Sequence, residues 1–465
     1  MGIKICVLQP DYSTTGVDYQ YYDPERKLAH LVPGDEVINV SLNKLTTYKQ
    51  LQELSQQGFD IFVNLCEGYL EWEVPSIDVI HSLELLNLPY TGPTPTLYDP
   101  PKTLMKYVAY CEGVKTPQHF VVRNILDWQQ WEGKISFPLF IKPAKAGDSL
   151  GIGQDSKVDD IDAAIEKSQT LLKEFPELLV EEYIDGREFT VLVAADPDGK
   201  NCRTFKPVEY IFPEGFAFKT YALKTSELHP GANIPCDDPA LEKELRSIAE
   251  KIFKGFGGKG YARLDLRVRP DGRIYFLEVN FSCSVFYADG YEGSADYILK
   301  YDGIGQAGFL KQIIDEGIAR HRRKQKAYTL RGDSIAGYGI YANRKIGQDE
   351  VLYRGEGRPH RILTRDHVEQ HWNETEKKKF RQYAWPLGGD VYAIWDEDPK
   401  EWSPQNHSCD ANTKMVGLNM IASRDINEGE ELTLDYAQFL DATMEPFTCN
   451  CGSVNCRGMI SGVKS

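Results

Sequence analysis

Two carboxylates, an amide and an arginine on one hairpin are the most chemically loaded feature of this sequence. The run Arg263-Leu264-Asp265-Leu266-Arg267-Val268-Arg269-Pro270-Asp271-Gly272-Arg273-Ile274-Tyr275-Phe276-Leu277-Glu278-Val279-Asn280 reads as two strands around an Asp-Gly turn. If Asp271-Gly272 is a two-residue loop, Asp265 faces Glu278 and Arg263 faces Asn280. The period of two then puts all four on one face. Facing carboxylates repel unless a cation lies between them. Magnesium holding nucleotide phosphates suits the oxygen set of Asp265, Glu278 and Asn280, and Arg263 beside it can stabilise charge developing on a transferred phosphoryl group. The opposite face, Leu264, Leu266, Leu277 and Val279, is expected to be buried. The alternative is a hairpin with a merely solvated polar face.

Other groups extend this chemistry. Phe140-Ile141-Lys142-Pro143 is a strand ending in a lysine, and Ala146-Gly147-Asp148-Ser149-Leu150-Gly151 is a small-residue loop whose N–H groups can approach phosphates. The strand Leu178 to Ile184 runs into Asp185-Gly186-Arg187-Glu188, where Glu188 can take a ribose hydroxyl. Near the C-terminus, Cys449-Asn450-Cys451 and Cys456 are one thiolate short of a tetrahedral zinc site, and Cys409 can complete it. In a reducing compartment, metal binding is the expected use of such a cluster.

Residues 1–100 alternate short apolar runs with helix-like stretches and predict parallel βαβ units. Residues 101–320 mix long helices and hairpins. The basic, aperiodic stretch Ala319 to Lys326 marks the domain boundary, with a linker over 321–330. Short strands and turns follow over 331–440, with one polar helical insertion at Thr364 to Tyr383 whose Lys377-Lys378-Lys379 run reads as a solvated face, and residues 441–465 form the cysteine-bearing tail. The expected fold is multidomain α+β: α/β first, mostly β last. A net charge of −16 argues against nucleic acid. No apolar run approaches the ~20 residues needed to span a bilayer, and the N-terminus lacks signal-peptide character, so a cytoplasmic location is expected.

The order of these motifs resembles the ATP-grasp superfamily, and within it the D-alanine:D-alanine ligase branch, over roughly residues 60 to 310. The resemblance implies ATP-binding roles for Lys102 at a helix start, Lys142, Ser149 in the phosphate loop, the hinge Glu181, Glu182, Tyr183 and Ile184, the ribose contact Glu188, and Lys224. It also implies a catalytic Arg263 and magnesium on Asp265, Glu278 and Asn280. The implied reaction joins a carboxylate to an amine through an acyl phosphate. The ligases' early Gly-rich motif with its substrate-binding glutamate is missing at residues 10–30, and Phe281-Ser282-Cys283-Ser284 stands where the family has Thr-Ser-Pro-Gly. D-alanine is therefore not the expected substrate.

Gly337-Tyr338-Gly339, Asn406-His407-Ser408-Cys409 and Gly429 to Tyr436 resemble the SET methyltransferase family over about Leu330 to Tyr436. That resemblance implies S-adenosylmethionine against Gly337, Tyr338, Gly339, Asn406 and His407, and Tyr436 as the active-site tyrosine that orients an amine towards the sulfonium methyl. Tyr392 is either a second channel tyrosine or core. The cysteines resemble a post-SET motif, which implies that zinc folds the tail against Cys409 as a channel wall. Ser403-Pro404-Gln405 departs from the Arg and aromatic of many members. The leading expectation is a bifunctional ligase and N-methyltransferase acting on a small amino acid or peptide. The alternative is a protein-lysine methyltransferase whose ATP-grasp part only binds or regulates.

Overall fold

The apolar run at the start of the chain becomes a strand with neighbours on both sides. In this computed structural model, which describes every residue except 1, 14, 16–22, 68–72, 132, 133, 135, 146–149, 221–229, 334–336, 357–360, 395–404, 439, 442–444 and 463–465, Lys4–Pro10 pairs in parallel with Glu36–Leu42 and Ile61–Asn64. Alternate residues of this strand point to opposite faces. Cys6 and Leu8 pack with Leu51, Val79 and Leu83, and Ile5 and Val7 pack with Val285, Ile298 and Phe309. Burial on both faces is why the strand reads as an unbroken apolar run.

The chain divides into two compact units, residues 1–322 and 323–465. The first also holds a six-stranded antiparallel sheet in which Arg187–Ala195, Tyr261–Val268 and Ile274–Asn280 lie side by side, the last at the sheet's edge. Helices Lys102–Cys111 and Pro239–Gly255 cover one face through Met105, Ala109, Leu245 and Ile252. The second helix starts cleanly because Asp238 accepts from the Ala240 and Leu241 N–H groups and Pro239 needs no donor there. A four-stranded sheet, His119–Val122, Leu178–Glu182, Leu139–Pro143 and Lys157–Val158, carries helix Ile161–Leu171.

The hairpin register corrects one expectation and keeps another. Arg263 faces Asn280 and Asp265 faces Glu278 as expected, but the turn is not a two-residue loop. Arg269 N–H bonds to the Arg273 carbonyl, leaving Pro270-Asp271-Gly272 as a three-residue loop with Gly272 at φ 82°. Left-handed glycine closing such a loop is a common hairpin solution. The pairs next to the turn are therefore one residue out of step with the expected register, and a bulge beyond Asp265 restores it. Its consequence is local: Phe276, not Leu277, takes the buried position, and Leu277 turns to the polar cleft with Glu278.

The second unit is built of short strands. Tyr328–Asp333 pairs with Gly337–Ala342, and a five-stranded sheet runs in the order Val351–Arg354, Asn419–Ala422, Thr413–Val416, Thr433–Leu434, Asn406–His407. The expected single helical insertion is two helices, Arg365–His371 and Glu374–Tyr383. Asn373 breaks them because its side chain caps the Glu376 N–H while Glu376 reaches back to the Asn373 N–H. Among the described residues, no helix is long and apolar enough to cross a membrane.

Candidate functional sites

An open cleft of about 690 Å³ lies along the two antiparallel sheets of the first unit, lined by Lys142, Glu181 to Ile184, Glu188, Asp265, Leu277 and Glu278 among others. At one end, helix Lys102–Cys111 contributes Lys102 and, one turn on, Lys106. Lys106 Nζ lies 2.6 Å from Glu181 Oε1 and donates to the Leu277 carbonyl at 2.8 Å. Lys142 pairs with the other oxygen of Glu181, and Lys102 Nζ lies 3.7 Å from Glu278 Oε2. Burial alone would raise the Glu181 carboxyl, but Lys106 and Lys142 draw it down to about 2. Burial in turn lowers Lys106 to about 8 against the pull of Glu181. Three buried cations thus meet two carboxylates at this end of the cleft.

The hairpin supplies the carboxylates. Asp265 is buried, and its Oδ1 has no hydrogen-bond partner, lying 3.5 Å from Arg263 Nε. Beside it, Glu278 has about a quarter of its side chain exposed. A buried carboxylate oxygen left short of donors next to a second carboxylate is an oxygen set that fits magnesium. Asn280 extends the same face through its pairing with Arg263.

At the other end, Tyr183 and Ile184 follow strand Leu178–Glu182, and Glu188 sits at the start of strand Arg187–Ala195. Burial opposes ionisation of Glu188, but Lys219 and Arg267 hold its carboxyl below the ordinary value. Ser149 and Lys224 fall outside the described residues. Sequence reasoning missed Lys106, Lys219 and Arg267. The four-residue spacing from Lys102 would have found Lys106, and Arg267, two beyond Asp265 on the same strand face, was legible by the same alternation.

A further constellation went unnoticed because its members are far apart in sequence. Arg26 is buried between Asp23 and Glu67, at 3.3 and 2.8 Å, and donates to the Leu65 carbonyl at 3.0 Å. Ser284, four residues beyond Asn280, donates to Glu67, and the Tyr287 hydroxyl donates to Asp23 at 2.7 Å. Burial lifts Glu67 to about 7 although Arg26 opposes the rise.

In the second unit, strands Asn406–His407 and Thr433–Leu434 run in parallel and bring two of the sequence motifs together. Asn406 Nδ2 donates to the Tyr338 carbonyl at 3.0 Å and to Glu431 Oε1 at 2.6 Å. Gly339 packs so close that a Cβ would stand 2.3 Å from Glu431 Oε1, whereas Gly337 and Tyr338 are exposed. Glu431 lies within the Gly429 to Tyr436 motif, and its carboxylate is what holds Asn406 against Gly339. His407 Nδ1 accepts from the Tyr436 N–H at 3.2 Å. Burial keeps that imidazole below its ordinary value despite Asp435, so it is neutral and able to accept. The Tyr436 hydroxyl donates to the Gln405 carbonyl. Tyr392 is a core tyrosine, packed edge-on against Phe380 with its hydroxyl on Asp441 at 2.7 Å.

The sulfurs of Cys409, Cys449, Cys451 and Cys456 all lie within 4.8 Å of one another, with Cys409 and Cys449 at 3.9 Å. Tetrahedral zinc with sulfur at ~2.3 Å needs sulfurs about 3.8 Å apart, so the group fits. The tail is also tied down by Arg457, which pairs with Asp435 beside Tyr436 and offers its N–H to Cys409 Sγ at 3.4 Å.

Comparison with known proteins finds two families. Residues 115–284 match the family described as D-ala D-ala ligase C-terminus, and residues 337–437 match the SET domain. A D-alanine–D-alanine ligase of Pseudomonas fluorescens is 31% identical over 260 residues, which is 53% of this chain and 77% of that protein. One from Cupriavidus necator is 28% identical over 242 residues, 50% of this chain and 69% of its own length. Among solved structures, the D-alanine–D-alanine ligase from Bacillus anthracis complexed with ATP superposes with a TM-score of 0.51 at 20% identity, covering 70% of this chain and all of that one. The VanG D-Ala:D-Ser ligase from Enterococcus faecalis gives 0.52 at 18%, over 68% of this chain and all of its own. At those identities the likeness is one of fold.

Proposed function

Because the chain belongs, through its first unit, to the D-alanine–D-alanine ligase family, we propose that it is a bifunctional enzyme: an ATP-dependent carboxylate–amine ligase joined to a SET-type N-methyltransferase that uses S-adenosylmethionine. The observation that carries the ligase reading is the buried, underdonated Asp265 opposite Glu278, at the lysine-rich end of an open cleft. In this reading Lys102 and Lys142 hold phosphates, with Ser149 and Lys224 joining them from outside the described residues. The hinge Glu181 to Ile184 receives adenine, Glu188 the ribose, and Asp265, Glu278 and Asn280 hold magnesium, which when bound neutralises charge on the phosphates. Arg263 stabilises the phosphoryl group while a substrate carboxylate oxygen attacks the γ-phosphorus and ADP leaves. An amine nitrogen then attacks the acyl carbon, the bond to phosphate breaks, and the amine proton leaves with the phosphate.

For methyl transfer, Gly339, Asn406 and His407 hold the cosubstrate with the exposed Gly337–Tyr338 stretch, and Tyr436 orients the amine nucleophile. Lowering the basicity of that amine by desolvation favours the neutral, attacking form. Zinc on Cys409, Cys449, Cys451 and Cys456 is structural, since four sulfurs leave no open position. The substrate is a small amino acid or peptide, and a cytoplasmic location belongs to this reading.

Mass spectrometry after incubation with ATP, magnesium, S-adenosylmethionine and a pool of amino acids and small peptides tests it. A product carrying a new amide and a methyl group is expected. Glu278→Gln should abolish ATP turnover alone and Tyr436→Phe methyl transfer alone. A methylated protein lysine with no ATP consumption would instead favour the methyltransferase whose first unit only binds or regulates.

A further inference from the structure

Arg267 lies in the cleft but belongs to none of the roles above, and its hydrogen bonding is complete. On strand Tyr261–Val268 it pairs across the sheet with Glu188. Its Nε and one terminal nitrogen donate to Glu188 Oε2 at 3.2 and 3.0 Å. The other terminal nitrogen donates to the Tyr183 hydroxyl at 3.1 Å and to the Ile184 carbonyl at 2.8 Å, and the first also donates to the Ala217 carbonyl. A guanidinium has five N–H donors in a fixed fork, so all five are used. The side chain is 4% exposed.

Those five bonds join three separate segments. Tyr183 and Ile184 are the hinge after strand Leu178–Glu182, Glu188 opens the next strand, and Ala217 belongs to the stretch that supplies Phe218 and Lys219 to the same cleft. Phe218 stands edge-on to Phe140 at 4.9 Å, and Lys219 Nζ lies 3.2 Å from Glu188 Oε1. The 217–219 stretch is thus fastened on two sides of Glu188, by Arg267 and by Lys219. Lysine at position 267 would restore the charge but not the fork, having three donors on a point charge. Loss of the guanidinium would strand the Ile184 carbonyl, leave the Tyr183 hydroxyl at 3.3 Å as the remaining donor to the Ala217 carbonyl, and leave the buried Glu188 with Lys219 as its remaining cation here.

We propose that Arg267 is a positioning residue for the nucleotide: it clamps the Tyr183–Ile184 hinge and the 217–219 stretch into two walls of one slot for the base and ribose of an adenine nucleotide. This rests on reading the cleft as a nucleotide site. Arg267 bonds to hinge, ribose-side carboxylate and wall, while the phosphate-side cations are Lys102, Lys106 and Lys142. The clamp therefore acts on the nucleoside part of the ligand.

The test measures binding of adenosine, ADP and magnesium ATP to the full-length protein by calorimetry, for the wild type, Arg267→Met and Arg267→Lys, with Lys142→Met as the phosphate-side contrast. Breaking several charge-assisted bonds should weaken all three ligands by a common factor, roughly ten- to a hundred-fold, in Arg267→Met. Arg267→Lys should fall between, keeping the Glu188 pair. Lys142→Met should weaken ATP and ADP but spare adenosine. Limited proteolysis without nucleotide, at a temperature where both proteins are folded, should cut after Lys219 faster in Arg267→Met than in the wild type. Equal affinities in wild type and Arg267→Met, or a loss confined to ATP, overturn the clamp while leaving the nucleotide site standing. A wild type that binds none of the three overturns the nucleotide reading and the clamp with it. Should Arg267→Met fail to fold, Arg267→Lys carries the same comparison.

Discussion

Replacing Glu181 by glutamine isolates the electrostatics of the lysine-rich end of the cleft. The fall of its carboxyl from 4.5 to about 2 corresponds to about 3 kcal/mol of preference for the ionised form in the folded state. Because the folded value is depressed, that stability is fully present above pH 4.5 and is lost as pH falls through about 2. Glutamine removes it at every pH and leaves Lys106 and Lys142 buried without their anion, a loss of roughly 3–5 kcal/mol at neutral pH. Urea unfolding of wild type and Glu181→Gln at pH 7 and again near pH 3 gives the gap directly. It should be about 3 kcal/mol at neutral pH and narrow on acidification. A neutral-pH gap under about 1 kcal/mol, the value of an ordinary exposed ion pair, or a gap that does not respond to acid, would refute the claim that burial makes this triad strong.

Other expectations follow from single contacts. Glu67 is raised to about 7 by burial, so its contribution is greatest below its ordinary value and declines as pH rises through 7. Unfolding measured from pH 5 to 8 should show Glu67→Gln gaining on the wild type by up to about 3 kcal/mol, and a pH-independent difference would contradict the burial argument. Gly339→Ala places a Cβ 2.3 Å from Glu431 Oε1 and 2.9 Å from Asn406 Nδ2. It should weaken S-adenosylmethionine binding by calorimetry roughly ten- to a hundred-fold, the cost of about 1–3 kcal/mol of overpacking, with ATP turnover untouched. Elemental analysis should find one zinc per chain. Its removal by a chelator, or Cys456→Ser, should free the tail to proteolysis and lower methyl transfer while leaving ligase chemistry intact. Unchanged tail protection after chelation would speak against the four-cysteine site.

What was legible in the sequence was local periodicity and what was not was convergence. Alternation alone placed Arg263, Asp265, Glu278 and Asn280 on one face, because a period of two leaves no freedom once pairing is set. It misplaced Leu277, because a three-residue loop and a compensating bulge cancel in the register of the outer pairs yet reverse the side chains between them. The outer pairing was thus obtained from a wrong turn, and the cleft acquired an apolar wall that alternation had assigned to the core. The crossing of segments was out of reach for a different reason. Arg267 joins Tyr183, Glu188 and Ala217, and Arg26 joins Glu67 to the chain after Asn280. No spacing rule links positions so far apart. A buried guanidinium nevertheless has to find acceptors for its donors, since each unmet one costs free energy. An arginine alternating with Asp265 on a strand otherwise buried is therefore a sequence signal in its own right, one that predicts a clamp without naming its partners. The same logic extends to Lys106, where a second lysine one turn along a buried helix face from Lys102 demands a buried anion, which the fold supplies as Glu181.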